Sequence, residues 1–270
     1  MTEVERFFDA NAQYEWERLD RHRTELAVTM RAFREFMPPP PAKVLDLGGG
    51  PGRYAVALTK QGYAVTLVDL SKGCLDFARQ KAAEAGVQIA DYVHANATDL
   101  SRFESATYDV VLLMGPMYHL LTEAERQTAL YEARRVLRPG GTVFAAFITR
   151  YTPTRAAAKL DPMTILEEAR WLEETLSTGI FRPLVERPAF ARFTEAYVAH
   201  PSEVRPFMED GGFESLDLIA CEGVVSLIEQ RVNELQGEPW QAWVELNYRL
   251  GKDPTVHGAA EHLLYVGRKP

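Results

Sequence analysis

Between residues 43 and 148 the chain alternates short apolar runs with stretches of helical periodicity, and this rhythm constrains the fold more than any other feature. "KVLDL" (43–47), "YAVTLVD" (63–69), "QIADYVH" (88–94), "YDVVLLM" (108–114) and "TVFAAFI" (142–148) are rich in apolar and β-branched residues and predict strands. Residues 51–61 predict a helix stopped near Gly62, and residues 71–86 a helix capped by Ser71 and stopped by Gly86. Thr122 and Glu125 form a capping box that opens a helix reaching Leu137, where "RPGG" ends it. Strands this apolar are covered on both faces, as in a parallel sheet. Five strand–helix units in succession predict an open α/β sheet with helices on both faces and ligands at the C-terminal ends of its strands.

The flanks are organised differently. Residues 3–37 predict one helix, with Leu26, Met30, Phe33 and Met37 on a single apolar stripe. "PPPP" (38–41) ends it, since proline donates no hydrogen bond to a helix or a sheet. Residues 150–210 hold helical stretches such as 162–177 and no convincing strand, which predicts a helical insertion covering the site rather than a connector. "ESLDLIA" (214–220) and "EHLLYVGRK" (261–269) predict two further strands, with helices over roughly 224–236 and 239–250 between them. The expected organisation is a helical cap at 1–41, a core at 42–149, a helical lid at 150–210 and the end of the core sheet at 211–270.

Composition excludes several function classes. Hydrophobic residues make up 46% of the 270, enough for a real core and too many for global disorder. A net charge of −8 argues against nucleic acid or anionic membrane as partner. No run of about 18 apolar residues is present, and "MTEVERFFDA" lacks a signal-peptide core, so a cytoplasmic monomer or homodimer is expected. Cys74 and Cys221 form neither a metal-spaced pair nor a disulfide framework, which suits a reducing compartment. His94, His200, His257 and His262 show no metal-ligand spacing, and no catalytic metal is expected.

"VLDLGGGPG" (44–52) is a strand end followed by a nearly bare loop, which lets a ligand approach the backbone closely. Gly48 and Gly50 fit the start of a dinucleotide loop, but Arg53 stands where its third glycine belongs. Asp46 also opposes a diphosphate: two like charges at 4 Å repel by about 4 kcal/mol at an intermediate dielectric. A cationic cofactor without phosphate suits the acid better. Asp69, about twenty residues on, stands where an acid takes both ribose hydroxyls of an adenosine.

"VLDLGGGPGRYAVAL" resembles motif I of the class I (Rossmann-like) S-adenosylmethionine-dependent methyltransferases. "HANATDL" (94–100) resembles the family's loop after strand three, with Asn96 where aspartate is usual, and Asp99 as a loop-capping fallback. "VVLLMGPMYHLL" followed by "RRVLRPGG" is similar to a pairing common in small-molecule members. The resemblance covers residues 43–148 and implies a Rossmann-like, seven-stranded, mostly parallel sheet, with S-adenosyl-L-methionine as cofactor and S-adenosyl-L-homocysteine as product. It implies Asp46 near the methionyl ammonium, close approach at Gly48, Gly49 and Gly50, Asp69 on the ribose, Asn96 and Ala97 at the adenine, and Leu70 and Met114 among the cofactor contacts. Family members acting on DNA amino groups carry D-P-P-Y-like residues after strand four, where this chain has Gly115, Pro116, Met117 and Tyr118.

The expected reaction is in-line methyl transfer to oxygen, nitrogen or carbon of a small, apolar or aromatic acceptor. Proximity and orientation can supply roughly 7–11 kcal/mol of such a barrier, so a catalytic motif is not required. His119, following strand four, is the candidate general base. Tyr118 and Trp16 are expected to line the acceptor pocket, and Tyr14 and Arg18 to cap the cofactor, with Arg18 or Arg53 meeting the methionyl carboxylate. Trp171, Phe181, Phe190, Phe193 and Tyr197 form either an aromatic lid or the core of the insertion itself. An NAD(P)-dependent oxidoreductase and a non-catalytic binding protein are the alternatives, against which the missing third glycine and the intact acidic positions weigh respectively.

Overall fold

The computed structural model describes residues 2–187 and 193–270 and opens with two helices, α1 (Glu3–Arg21) and α2 (Arg23–Phe36). The single long helix expected here is broken at His22, and α1 itself kinks at Asn11, whose side-chain amide donates to the Phe7 carbonyl. After the prolines come β1 (Lys43–Leu47), α3 (Arg53–Lys60), β2 (Ala64–Asp69), α4 (Lys72–Glu84), β3 (Asp91–His94), β4 (Tyr108–Leu113), α5 (Pro116–His119), α6 (Glu123–Val136) and β5 (Leu137–Ile148). The insertion carries α7 (Thr152–Leu160), α8 (Thr164–Glu167), α9 (Ala169–Thr178) and the short strands β6 (Ile180–Phe181) and β7 (Ala196–Tyr197). α10 (Pro201–Asp210), β8 (Glu214–Ala220), a 3₁₀ turn (Gly223–Ile228), α11 (Glu229–Asn233), α12 (Gly237–Gly251), α13 (Pro254–His257) and β9 (His262–Arg268) complete the chain.

Seven strands form one sheet in the order β3-β2-β1-β4-β5-β9-β8, parallel except for β9, which runs antiparallel to both its neighbours. Successive strand residues face opposite layers. Val44, Val110, Leu112, Phe144 and Leu264 pack with α2, α3 and α4, whereas Leu45, Val111, Leu113, Val143 and Tyr265 pack with α6 and α10. The strand order reverses between β1 and β4, which opens a crevice at their C-terminal ends.

The third strand starts at Asp91 rather than 88, and β5 begins at Leu137, drawing "RPGG" into the sheet through a register shift opposite Tyr108 and Val110. The helix expected at 162–177 is two shorter ones, and the insertion does hold strands: β6 and β7 pair antiparallel. α10 belongs to the sheet rather than to the lid, because Val204 and Met208 are buried in the same layer as Leu218 and Tyr265. The helix expected at 224–236 is a 3₁₀ turn followed by α11.

Candidate functional site

A cavity of about 480 Å³ opens at the crevice between β1 and β4, within the range of small-molecule sites. Its floor is the glycine loop. The Gly48 and Gly49 N–H groups donate to the Val68 carbonyl, at 2.7 and 3.3 Å, and tie the loop to β2. Gly48 has a φ of +68° and a Cβ there would lie 2.7 Å from the Pro116 ring, so only glycine lets the loop pass the start of α5. At Gly49 a Cβ would meet Asp46 Cγ and Leu67 Cδ1, each at 2.5 Å.

Asp46 therefore sits directly beneath Gly49, fully buried, and does not itself line the cavity as the sequence implied. Neither of its carboxylate oxygens has a hydrogen-bond partner among the described residues. Burial, then the charge of Asp69, pushes its pKa up to about 7 over the opposing pull of the Ala55 N–H, which lies outside hydrogen-bond geometry. Asp69 does line the cavity. Its two oxygens accept the Gly50 N–H at 2.7 Å and the Ser71 N–H at 2.8 Å, which fixes the carboxylate at the rim. Burial raises its pKa to about 6 against those bonds. An orphaned buried carboxylate under a bare loop fits a cationic ligand, and at Gly50 the space a Cβ would take is open.

The roof is α1. Val4, Phe8, Glu15, Arg18 and Leu19 share one helical face and all line the cavity. The first half of the helix is latched by Asp9, whose Oδ1 accepts from Ser71 Oγ at 2.6 Å and from the Gly73 N–H at 2.9 Å, holding its carboxyl below the usual range. The second half is anchored by buried charge. Arg18 donates to Glu15 and, with both terminal nitrogens, to Glu25. Glu25 in turn lies 3.6 Å from His262 Nδ1, which is 2.7 Å from Glu222 Oε1. Burial alone would raise the Glu25 carboxyl, but Arg18 and His262 outweigh it and hold it at about 2. Burial likewise opposes the charged form of His262, and Glu25 and Glu222 raise it to about 9. Glu25, Glu222 and His262 thus come within 4.8 Å of one another, a grouping of ligand-type side chains that sequence spacing did not reveal. Arg18 and His262 supply two positive charges to the two carboxylates.

His119 and Tyr118 line the cavity where α5 meets the roof. The His119 ring has Tyr118 at 4.7 Å, Phe8 at 5.0 Å and Phe193 at 5.5 Å between centroids, and its Nδ1 lies 3.2 Å from Thr194 Oγ1. Burial, then the Arg18 charge, drives its pKa down to about 3. That limits the expectation of a general base, since a base works best with a pKa near the operating pH. The Tyr118 hydroxyl donates to the Met114 carbonyl at 2.8 Å, and burial pushes its pKa up.

Of the other sequence candidates, Gly48, Gly49, Gly50, Leu70, Asn96, Ala97, Met114 and Arg18 all meet at the cavity. Asn96 Oδ1 accepts the Thr98 N–H, and Asp99 takes the capping role, accepting the Ser101 N–H. Trp16 and Tyr14 do not line the cavity. Trp16 lies on the side of α1 that faces α4, against Phe77 and beneath Arg53, and Arg21 covers Tyr14. Val4, Phe8, Glu15 and Arg18 keep one face across Asn11, and Trp16 and Tyr14 fall to either side of it. Arg53 reaches the cavity with its guanidinium paired to Asp20. In the lid, Phe181 packs on both Trp171 and Phe193, joining the aromatic wall to the core of the insertion. Tyr197 stacks under Arg126 away from the cavity, and Phe190 lies outside the described residues. Sequence reasoning misses Asp9, Glu15, Glu25 and Thr194. Glu25 leaves a trace, an acid on the buried face of α2 beside Val28 and Thr29.

Residues 44–141 match the family of methyltransferase domains. A ubiquinone biosynthesis O-methyltransferase of Klebsiella pneumoniae is 34% identical over 108 residues, 40% of this chain and 43% of that protein. A tRNA 5-carboxymethoxyuridine methyltransferase of Escherichia coli K12 is 32% identical over 135 residues, 49% of this chain and 46% of that protein. The chain thus matches less than half the length of these relatives. A solved S-adenosylmethionine-dependent methyltransferase from Methanosarcina mazei shares the fold, with a TM-score of 0.60 at 18% identity over 88% of this chain and 96% of that one. No described helix is long and apolar enough to cross a membrane.

Proposed function

We propose, from the match of residues 44–141 to methyltransferase domains and from the shared fold, that this chain is a class I S-adenosylmethionine-dependent methyltransferase that methylates a small, aromatic acceptor at oxygen or nitrogen. The observation that carries this reading is the cavity itself: a glycine floor over the unpartnered carboxylate of Asp46, a ribose-type acid at its rim and aromatic rings at its far end. S-adenosylmethionine, when bound, supplies an electrophilic methyl on a sulfonium.

The chain's residues do the holding. The open space at Gly50 would admit the methionyl group to the backbone, and its positive charge would draw Asp46, beneath Gly49, into the ionised form that offsets it. Asp69 keeps lone pairs that would take the ribose hydroxyls, and Leu70, Asn96, Ala97 and Met114, which line the same cavity, would bound the rest of the cofactor. Arg18 has committed donors to Glu15 and Glu25, so its main service is to hold α1 as the roof that excludes water. Phe8, Tyr118 and Phe193 present ring faces and edges to a flat acceptor. Relatives named for O-methylation in ubiquinone biosynthesis support an oxygen acceptor. The net charge of −8 favours a small molecule over the RNA named for the Escherichia coli relative.

The test is a thermal shift with S-adenosylhomocysteine against NAD(H) and NADP(H). A ligand at about 100 times its Kd stabilises by roughly 2.7 kcal/mol, a rise of about 5–10 °C for a chain this size. S-adenosylhomocysteine alone is expected to give that rise, and Asp46→Ala to reduce it. A rise only with the nicotinamides would overturn the reading.

A further inference from the structure

Thr194 belongs to the insertion and does not line the cofactor cavity, yet its side chain is buried against His119. Its hydroxyl has one proton to give, and Oγ1 donates to the Glu195 carbonyl at 3.1 Å. The same Oγ1 lies 3.2 Å from His119 Nδ1. With the hydroxyl proton committed to Glu195, the contact closes only if Nδ1 carries the hydrogen and Oγ1 accepts it. In a neutral imidazole the other nitrogen is then a bare acceptor. Nε2 has no partner among the described residues and sits on a side chain that lines the cavity.

We propose that Thr194 is a positioning residue that fixes His119 as the Nδ1–H tautomer, so that Nε2 accepts a hydrogen bond from the O–H or N–H of the methyl acceptor. The proposal rests on the methyl-transfer reading and narrows its acceptor to molecules that carry such a donor beside a flat ring. The neutral state of the ring agrees with its burial and with the Arg18 charge nearby. Weak basicity is enough for this role. The acceptor lone pair forms the new bond to the methyl carbon while the C–S pair returns to sulfur, leaving S-adenosylhomocysteine. An oxygen that has gained a methyl cation is far more acidic than a free hydroxyl, so its proton passes to Nε2 and on to water. A carbon nucleophile has no such donor, and a carboxylate acceptor would face a bare lone pair.

The experiment uses full-length protein labelled with ¹⁵N in histidine. Two-bond correlation spectra distinguish a pyrrole-like from a pyridine-like nitrogen. The wild type and Thr194→Ser are expected to show His119 with pyrrole-like Nδ1 and pyridine-like Nε2. Thr194→Val, which keeps the volume and loses the acceptor, is expected to shift the ring toward Nε2–H while its circular dichroism and S-adenosylhomocysteine affinity stay unchanged. A wild type in the Nε2–H form, or a Thr194→Val spectrum identical to wild type, would overturn the assignment. Should Thr194→Val unfold, the wild-type and Thr194→Ser spectra alone decide. The acceptor class is read in the S-adenosylhomocysteine complex: phenol should move the Nε2 resonance and anisole should not. No response to phenol, or an equal one to anisole, refutes it. Failure of the wild type to bind S-adenosylhomocysteine would instead sink the methyl-transfer reading and leave the tautomer result standing.

Discussion

Asp46→Asn should make the ligand-free protein relatively more stable as the pH rises, because the native carboxyl resists ionisation. Its pKa rises from an ordinary 3.8 to about 7 on folding. Below 3.8 both states hold the proton and the group is neutral to stability. Between 3.8 and 7 the unfolded chain has lost the proton while the native one keeps it, so native stability falls as pH climbs. A pKa difference of one between the two states corresponds to about 1.4 kcal/mol, so the loss reaches at most about 4 kcal/mol above neutrality. Asparagine has the same shape and no charge to lose. Its buried amide, without partners, costs about 1–3 kcal/mol at every pH, which moves the offset and not the slope. Urea melts of both proteins across about pH 4–8, all without cofactor, give the difference directly, since every other titrating group cancels to first order. The expected difference grows in favour of asparagine up to neutrality and then levels. A difference independent of pH would show that Asp46 is ionised in the native state at an ordinary pKa, and would refute an orphaned carboxylate beneath the loop.

Other perturbations probe the rest of the site. Gly49→Ala drives a Cβ into Asp46 and Leu67 and should abolish S-adenosylhomocysteine binding by calorimetry, whereas Gly86→Ala, where nothing lies within 4 Å, should keep it. Asp9→Ala removes two bonds to the start of α4 and should speed dissociation of S-adenosylhomocysteine in stopped flow while costing only about 1–2 kcal/mol of global stability; an unchanged rate argues against the latch. Glu25→Gln leaves Arg18 and His262 facing each other and should cost about 3–5 kcal/mol in denaturant melts. His262, held up to about 9, stabilises fully below its ordinary 6.5, and that contribution disappears as pH rises through 9. The wild type should therefore lose stability over that interval, and His262→Gln should not show the same decline.

The sheet was legible because its information is local. The wholly apolar, doubly covered run Val110–Leu113, the capping box at Thr122 and Glu125 and the stop at Gly86 each show within a dozen residues. The glycine loop and Asp69 were legible for the same reason. What escaped depends on contacts between distant segments. Nothing near Thr194 announces that it meets a ring 75 positions earlier, and Glu25, Glu222 and His262 converge only once β8 and β9 lie side by side. The break at His22 lacks a proline or glycine, so local propensity held no sign of it. Trp16 and Tyr14 were assigned from the resemblance and not from the helical face, on which Val4, Phe8, Glu15 and Arg18 line up without them. Asp46 lies one layer below the cavity face, because the sequence shows the acid and hides that Gly49 folds over it.

α1 ends at Arg21, more than twenty residues before the stretch shared with other methyltransferase domains begins. The roof of the cavity is thus written in a segment of sequence outside the matched stretch, and the glycine loop that forms its floor is written within it. Substitutions at Val4, Phe8, Glu15 or Leu19 would reshape one wall of the cavity while the glycine loop and the strand ends stay untouched.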